Sequence, residues 1–185
     1  MSNNRLIEEH TIKSEKIYEG KIIKVRVDTV ELPEKKYAKR EIVEHARGVG
    51  VVAITEDLDI ILVKQFRKAI NQSLYEIPAG MVNAGENLQE AASRELQEEA
   101  GLKPLKTELI AECYDSPGFT DEKISLFFTD SLEESKLELD ETEYLISEKL
   151  PLKKAIDMVE NFEIVDAKTV IGILYAARKY NIWLI

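Results

Sequence analysis

The chain has 185 residues, with 25 Lys and Arg against 35 Asp and Glu and a formal net charge of -10. That length suits one ordinary domain with a small appendage, the 44% apolar content argues against intrinsic disorder, and the acidic balance disfavours direct binding to a nucleic-acid backbone. A single cysteine, Cys113, excludes an internal disulfide, and with no apolar leader and no long apolar run the expectation is a cytoplasmic protein without a membrane partner.

Residues 21–30, K-I-I-K-V-R-V-D-T-V, alternate, with Ile23, Val25, Val27 and Thr29 on one face. Pro33 interrupts, 35–39 reads as an exposed hairpin tip, and alternation resumes as far as His45, so 10–46 is predicted to be a small antiparallel meander. A meander of two or three strands needs something to pack on. From Gly48 the pattern changes. Residues 49–54 and 60–63 are nearly continuous apolar runs, as expected of strands covered on both faces, with 56–59 as a hairpin turn between them. A loop follows Pro78-Ala79-Gly80, and then a helix over about 87–100 with Gly101 as its cap and Pro104 beyond. Strands are expected at 106–114 and 123–129. Pro151 sits in the first turn of a helix reaching about Glu160, and a last helix spans 167–180. The fold class is α+β: a mixed sheet between helices, an α/β/α sandwich over 47–185, preceded by the meander of 1–46.

The chemistry concentrates in 80–102, G-M-V-N-A-G-E-N-L-Q-E-A-A-S-R-E-L-Q-E-E-A-G-L. On a helix, Glu95, Glu98 and Glu99 stand at i, i+3 and i+4, so their carboxylates share one patch of surface and repel. A hard divalent cation reverses the sign of that interaction. Leu88, Ala92 and Leu96 form the neighbouring apolar ridge, and Arg94 can reach Glu98 or Glu90 four residues away. A bare E-x-x-E-E is most simply a solvated helix face. Here, however, every fixed position of the pattern G-x5-E-x7-R-E-U-x-E-E-x-G-U is met, by Gly80, Glu86, Arg94, Glu95, Leu96, Glu98, Glu99, Gly101 and Leu102. Chance agreement somewhere in such a chain is on the order of one in a million.

The segment therefore resembles the Nudix box, the signature of hydrolases acting on nucleoside diphosphates linked to a further moiety. The resemblance implies binding of Mg²⁺, with Mn²⁺ the alternative, and attack of water on a pyrophosphate phosphorus. It implies Glu95 and Glu99 as principal metal ligands, Glu98 as an additional one, and the backbone carbonyl of Ala79 as a further oxygen. Glu86 and Arg94 are implied to orient the loop and the acidic cluster.

Neighbouring segments narrow the comparison. V-K-Q-F-R at 63–67, E-I-P-A-G at 76–80, and Pro117 (followed by Gly118) sixteen residues beyond Gly101 resemble the ADP-ribose pyrophosphatase subfamily, as does the meander ahead of the box. The implied reaction is conversion of ADP-ribose to AMP and ribose 5-phosphate by a homodimer. Arg67 is the expected contact for the diphosphate or the adenosine end, or else a surface arginine ending a strand. Glu76 accepts hydrogen bonds from base or ribose, or is a buried paired glutamate. Arg47 approaches a phosphate or merely flanks a strand, and Tyr18 stacks on adenine or packs. Pro117 and Gly118 mark a substrate-side loop. The subfamily's general base lies on a late loop, here 138–144, where Glu143 is the first candidate and Glu141 the second. Alternatives are another nucleoside diphosphate sugar such as GDP-mannose, or a non-catalytic nucleotide sensor, against which the complete set of box glutamates argues. His10 and His45 are too few for a zinc site, Cys113 reads as core, and Gly48-Val49-Gly50 lacks the third glycine of a dinucleotide fingerprint. The acidity gathers in 80–102 (five acidic, one basic) and 131–150 (seven acidic, two basic), which favours a diphosphate held through cations.

Overall fold

Alternation in the first third of the chain builds three antiparallel strands, β1 (His10–Glu19), β2 (Ile23–Leu32) and β3 (Lys36–His45), lying in that order in one sheet. The computed structural model describes residues 8–139 and 143–182. The predicted tip at 35–39 is instead mostly strand. The reversal is compressed into Pro33–Lys35, with Glu34 and Lys35 at positive φ, so pairing resumes at once between Leu32 and Lys36. These strands form one compact unit together with Tyr114–Lys123. The attachment is backbone to backbone: Val43 N–H donates to the Phe119 carbonyl (2.8 Å) and Asp121 N–H to the Val43 carbonyl (3.3 Å). The Asp121 carboxylate accepts from the His45 N–H at 3.0 Å.

The second unit holds Arg47–Cys113 and Ile124–Ile185. Its elements are β4 (Gly48–Ala53), β5 (Asp59–Arg67), β6 (Gln72–Glu76), β7 (Ala79–Met81), α1 (Leu88–Ala100), β8 (Leu102–Pro104), β9 (Glu108–Tyr114), β10 (Lys123–Thr129), β11 (Leu132–Glu134), β12 (Leu145–Pro151), α2 (Leu152–Glu160) and α3 (Ala167–Lys179). One sheet runs β7-β4-β10-β9 and is mixed, since β4 pairs parallel with β10 and antiparallel with β7. A second, antiparallel sheet runs β12-β5-β6, and β8 and β11 form a ribbon. The turn at 56–59 is present, closed by Thr55 N–H on the Asp59 carbonyl at 2.9 Å. It does not continue as a hairpin: after a bridge between Ile54 and Ile60, β4 and β5 enter different sheets. Pro151 ends β12 opposite Asp59 and stands just ahead of α2 instead of in its first turn, because its ψ of 130° is extended.

The near-continuous apolar runs are explained by helices on both faces. Val49, Val51 and Ala53, with Ile61 and Phe127, pack with Ala91, Ala92 and Leu96 of α1. The alternate residues Val52, Ile54, Ile60, Leu62, Leu126 and Phe128 pack with Leu152, Ala155 and Ile156 of α2 and Ile173 and Ala176 of α3. Each fully buried Ile or Leu contributes about 1.5–3 kcal/mol through the hydrophobic effect. Gly172 lets α3 approach β4 closely, since a Cβ there would lie 2.6 Å from a Val52 methyl.

Candidate active site

The helix that carries the acidic cluster is fixed at both ends by its own sequence. Asn87 caps α1 by accepting from Glu90 N–H (2.9 Å), and the Glu90 carboxylate accepts from Asn87 N–H (3.3 Å), a reciprocal capping box. Gly101 closes the other end in the left-handed region, with φ 69°. Glu90 is thereby committed to the cap and does not meet Arg94, contrary to one of the two sequence expectations.

Arg94 instead gathers three other glutamates. Its Nε and Nη2 donate to Glu86 (2.9 and 3.1 Å), and its Nη1 donates to Glu95 (2.7 Å) and Glu98 (2.9 Å). A further Nη2 bond reaches the Met81 carbonyl at 2.9 Å, so all five guanidinium donors have acceptors. Glu86 also accepts from Asn83 N–H at 2.9 Å, and the Arg94 guanidinium holds its carboxyl below the usual range.

Glu95 and Glu99 lie on the sheet side of α1, with only 7% and 6% of their surface exposed. Glu99 accepts from Ala79 N–H at 2.9 Å, and a Cβ built on Gly80 would overlap the Glu95 carboxylate. Burial pushes Glu95 up to about 7, against the pull of Arg94 and with the charges of Glu98 and Glu143 adding to the rise. Burial likewise pushes Glu99 up to about 8, opposed by the Ala79 N–H and reinforced by Glu95 and Glu143. Glu143 therefore lies within the field of this cluster; Glu141 falls outside the described residues.

The donor set suits a hard cation: carboxylates predominate, and two are buried, Glu95 bonded to Arg94 and Glu99 in the field of Arg67. Among the described residues no three acidic, His or Cys side chains converge as a ready cage, and Arg94 bonds an oxygen of Glu95 and one of Glu98. The fit is thus one of chemistry and of carboxylates gathered in a buried place.

Arg67 makes a two-bond pair with Glu76, Nε to Oε1 at 2.6 Å and Nη2 to Oε2 at 2.7 Å. Glu76 is buried and also accepts from Lys168, which bonds Asp166 at 3.0 Å. Burial pushes the Glu76 carboxyl up, but Arg67 and Lys168 outweigh it and hold it below its ordinary value. Asp166 caps α3 by accepting from Thr169 N–H and Oγ1, and Thr169 Oγ1 accepts from Ile77 N–H at 2.8 Å. Sequence reasoning missed Lys168, although Asp166 three residues before Thr169 is a readable helix-start signal. Arg47 pairs with Glu112 and donates to the buried Ser125 hydroxyl (2.9 and 3.2 Å). Tyr18, Pro117 and Gly118 belong to the other unit. Tyr18 is exposed on β1 with its ring against Gly20, and 116–120 is a turn in which Phe119 and Thr120 N–H donate to the Ser116 carbonyl.

The family model described as "NUDIX domain" matches residues 44–170, which include this whole cluster. The chain belongs to the Nudix family. A second model, "Nucleoside diphosphate sugar hydrolase N-terminal domain", matches residues 9–43. Among curated relatives, the ADP-ribose pyrophosphatase of Bacillus subtilis (strain 168) is 44% identical, over 94% of this chain and 95% of its own. The methanol dehydrogenase activator of Bacillus methanolicus is 42% identical over 92% and 94%. A crystal structure of an ADP compounds hydrolase matches 96% of both chains with a TM-score of 0.84 at 22% identity, which shows a shared fold. In these terms the Nudix box runs from β7 through the 82–87 loop and α1 into β8, and Glu86, Arg94, Glu95, Glu98 and Glu99 are its charged fixed positions.

Proposed function

We propose that this Nudix protein hydrolyses the diphosphate of ADP-ribose to AMP and ribose 5-phosphate, using Mg²⁺ (with Mn²⁺ the alternative), as a cytoplasmic homodimer. The observation that carries the reading is the Arg94-centred cluster, in which Glu95 and Glu99 are buried against the backbone of Ala79 and Gly80. The 44% identity with a protein named ADP-ribose pyrophosphatase supports the substrate. Residues 47–185 serve as the hydrolase domain and 1–46 as the dimerisation segment.

Glu95, Glu98, Glu99 and the Ala79 carbonyl would hold the metal. When bound, it neutralises the diphosphate and makes a water acidic enough to attack near neutral pH. Glu86 and Arg94 keep the glutamates in place, and Arg67 contributes positive charge toward the diphosphate. Glu143, with Glu141 the alternative, takes the proton from water as its oxygen bonds to phosphorus and the bridging P–O bond breaks. Tyr18, Arg47, Pro117 and Gly118 stand as substrate contacts on the sequence resemblance alone.

The test is a metal-dependent hydrolysis panel of ADP-ribose, GDP-mannose, ADP-glucose, NADH and diadenosine polyphosphates, with E99Q as control. ADP-ribose is expected to give the highest kcat/KM. A higher value for GDP-mannose replaces the substrate, and binding without any turnover favours a sensor. A second reading, activation of an alcohol dehydrogenase, is favoured by the 42% identity with the methanol dehydrogenase activator. Adding the chain to such an enzyme and seeing no rise in rate counts against it.

A further inference from the structure

Among the described residues of the second unit Glu76 is the most enclosed charged side chain, 2% exposed, yet it faces two cations. Arg67 and Lys168 both reach its Oε2, and Arg67 alone takes Oε1 as well. The two cations differ in access. The Arg67 side chain is 41% exposed and lies in the field of Glu99, whereas Lys168 is 13% exposed and tied to Asp166 at 3.0 Å. Lys168 is also held from below: Asp166 is the cap of α3, Thr169 of the same turn accepts from the backbone of Ile77, and Gly172 seats the helix on Val52.

A buried carboxylate stripped of its partner is costly, so an arginine that is its sole counter-ion cannot readily turn toward another anion. Two counter-ions remove that obstacle. We propose that Lys168 is a positioning residue: as the resident second counter-ion of Glu76, it frees Arg67 to engage the diphosphate of the substrate. The inference rests on the proposed hydrolysis, in which Arg67 faces that diphosphate, and extends it to a residue on the last helix. Lys168 touches no reacting atom in this scheme. It acts on binding, by setting how tightly Arg67 is retained by Glu76.

The test has two arms. In steady-state kinetics on ADP-ribose, K168M is expected to raise KM about tenfold with kcat within about twofold, and K168R to restore KM. An unchanged KM in a folded K168M protein, or a loss confined to kcat, overturns the proposal. The second arm needs no substrate. Thermal unfolding of R67M, K168M and the double variant is expected to show a double loss larger than the two single losses together, because either cation compensates Glu76 but its burial without both is severe. Additive losses overturn the shared counter-ion. If the wild-type chain fails to turn over ADP-ribose, the proposed activity falls, and the unfolding cycle alone decides whether the two cations substitute for each other.

Discussion

The α-carbon of Gly80 faces the carboxylate of Glu95 so closely that any Cβ at position 80 would overlap it. Gly80 is in β7, paired with Val49, so the strand cannot retreat without breaking the sheet, and Glu95 is on a helix fixed by its caps. G80A is therefore expected to fold but to displace the Glu95 carboxylate. A misplacement of about 1 Å at such a site costs about 10²-fold in rate. Mg²⁺-dependent kcat/KM checks this, and a G80A enzyme with wild-type activity contradicts the assignment of Glu95 as a ligand.

Much of this arrangement was legible in the sequence because it is local. Glu95, Glu98 and Glu99 need only helical spacing to converge, and Asn87 and Gly101 mark the helix ends by residue type. What could not be read depends on distant pairing. Strand β12 has no strong alternation of its own and is held by β5, some eighty residues earlier. Of the two partners expected for Arg94, Glu98 is met, whereas the capping box claims Glu90 and the loop brings Glu86 within reach. Lys168 could not be connected to Glu76 from sequence, since their meeting depends on how α3 lies on the sheet.

Arg94 is expected to tolerate no substitution by lysine. A lysine offers three donors from one nitrogen where the guanidinium supplies five in a planar fork, so the paired bonds to Glu86 are lost. R94K should lose about 2 kcal/mol of stability, equivalent to a Tm lowered by about 4–8 °C. Scanning calorimetry measures the first effect, and Mg²⁺ titration of activity should show weakened metal dependence alongside it.

The raised carboxyls predict an unusual pH dependence. Between the ordinary glutamate value of 4.5 and the values near 7 for Glu95 and 8 for Glu99, the folded metal-free chain holds protons that the unfolded chain has released. Stability then falls as pH rises through that window and levels above it. Glu76 and Glu86 are shifted the other way, so their contributions are complete above that window's lower edge and add no slope within it. In EDTA, Tm should drop by at least about 4 °C from pH 5 to 8.5. Saturating Mg²⁺ should reduce the drop, because the cation takes over from the protons. A Tm in EDTA that rises over the same range would falsify the burial account of Glu95 and Glu99.

E143Q is expected to lower kcat by about 10²- to 10⁴-fold, as removal of a general base does. It should also leave a mark that a general loss of structure would not. The Glu143 charge helps raise Glu95 and Glu99, so its neutralisation moves their titration, and with it the onset of Mg²⁺ affinity, to lower pH. Retention of most of the wild-type kcat would remove Glu143 from the mechanism.

The attachment of Tyr114–Lys123 to the first unit bears on the order of assembly. The backbone groups of Val43 wait for Phe119 and Asp121, which leave the ribosome only after β4 to β9 have been made. Strands β1 to β3 are thus synthesised ahead of β4 to β12 without being able to finish folding ahead of them. Domain-by-domain completion from the N-terminus, the usual course during translation, is closed to this chain. A ribosome-stalled product ending before residue 123 would present β3 with its outer edge unsatisfied, open to a chaperone or to another nascent strand.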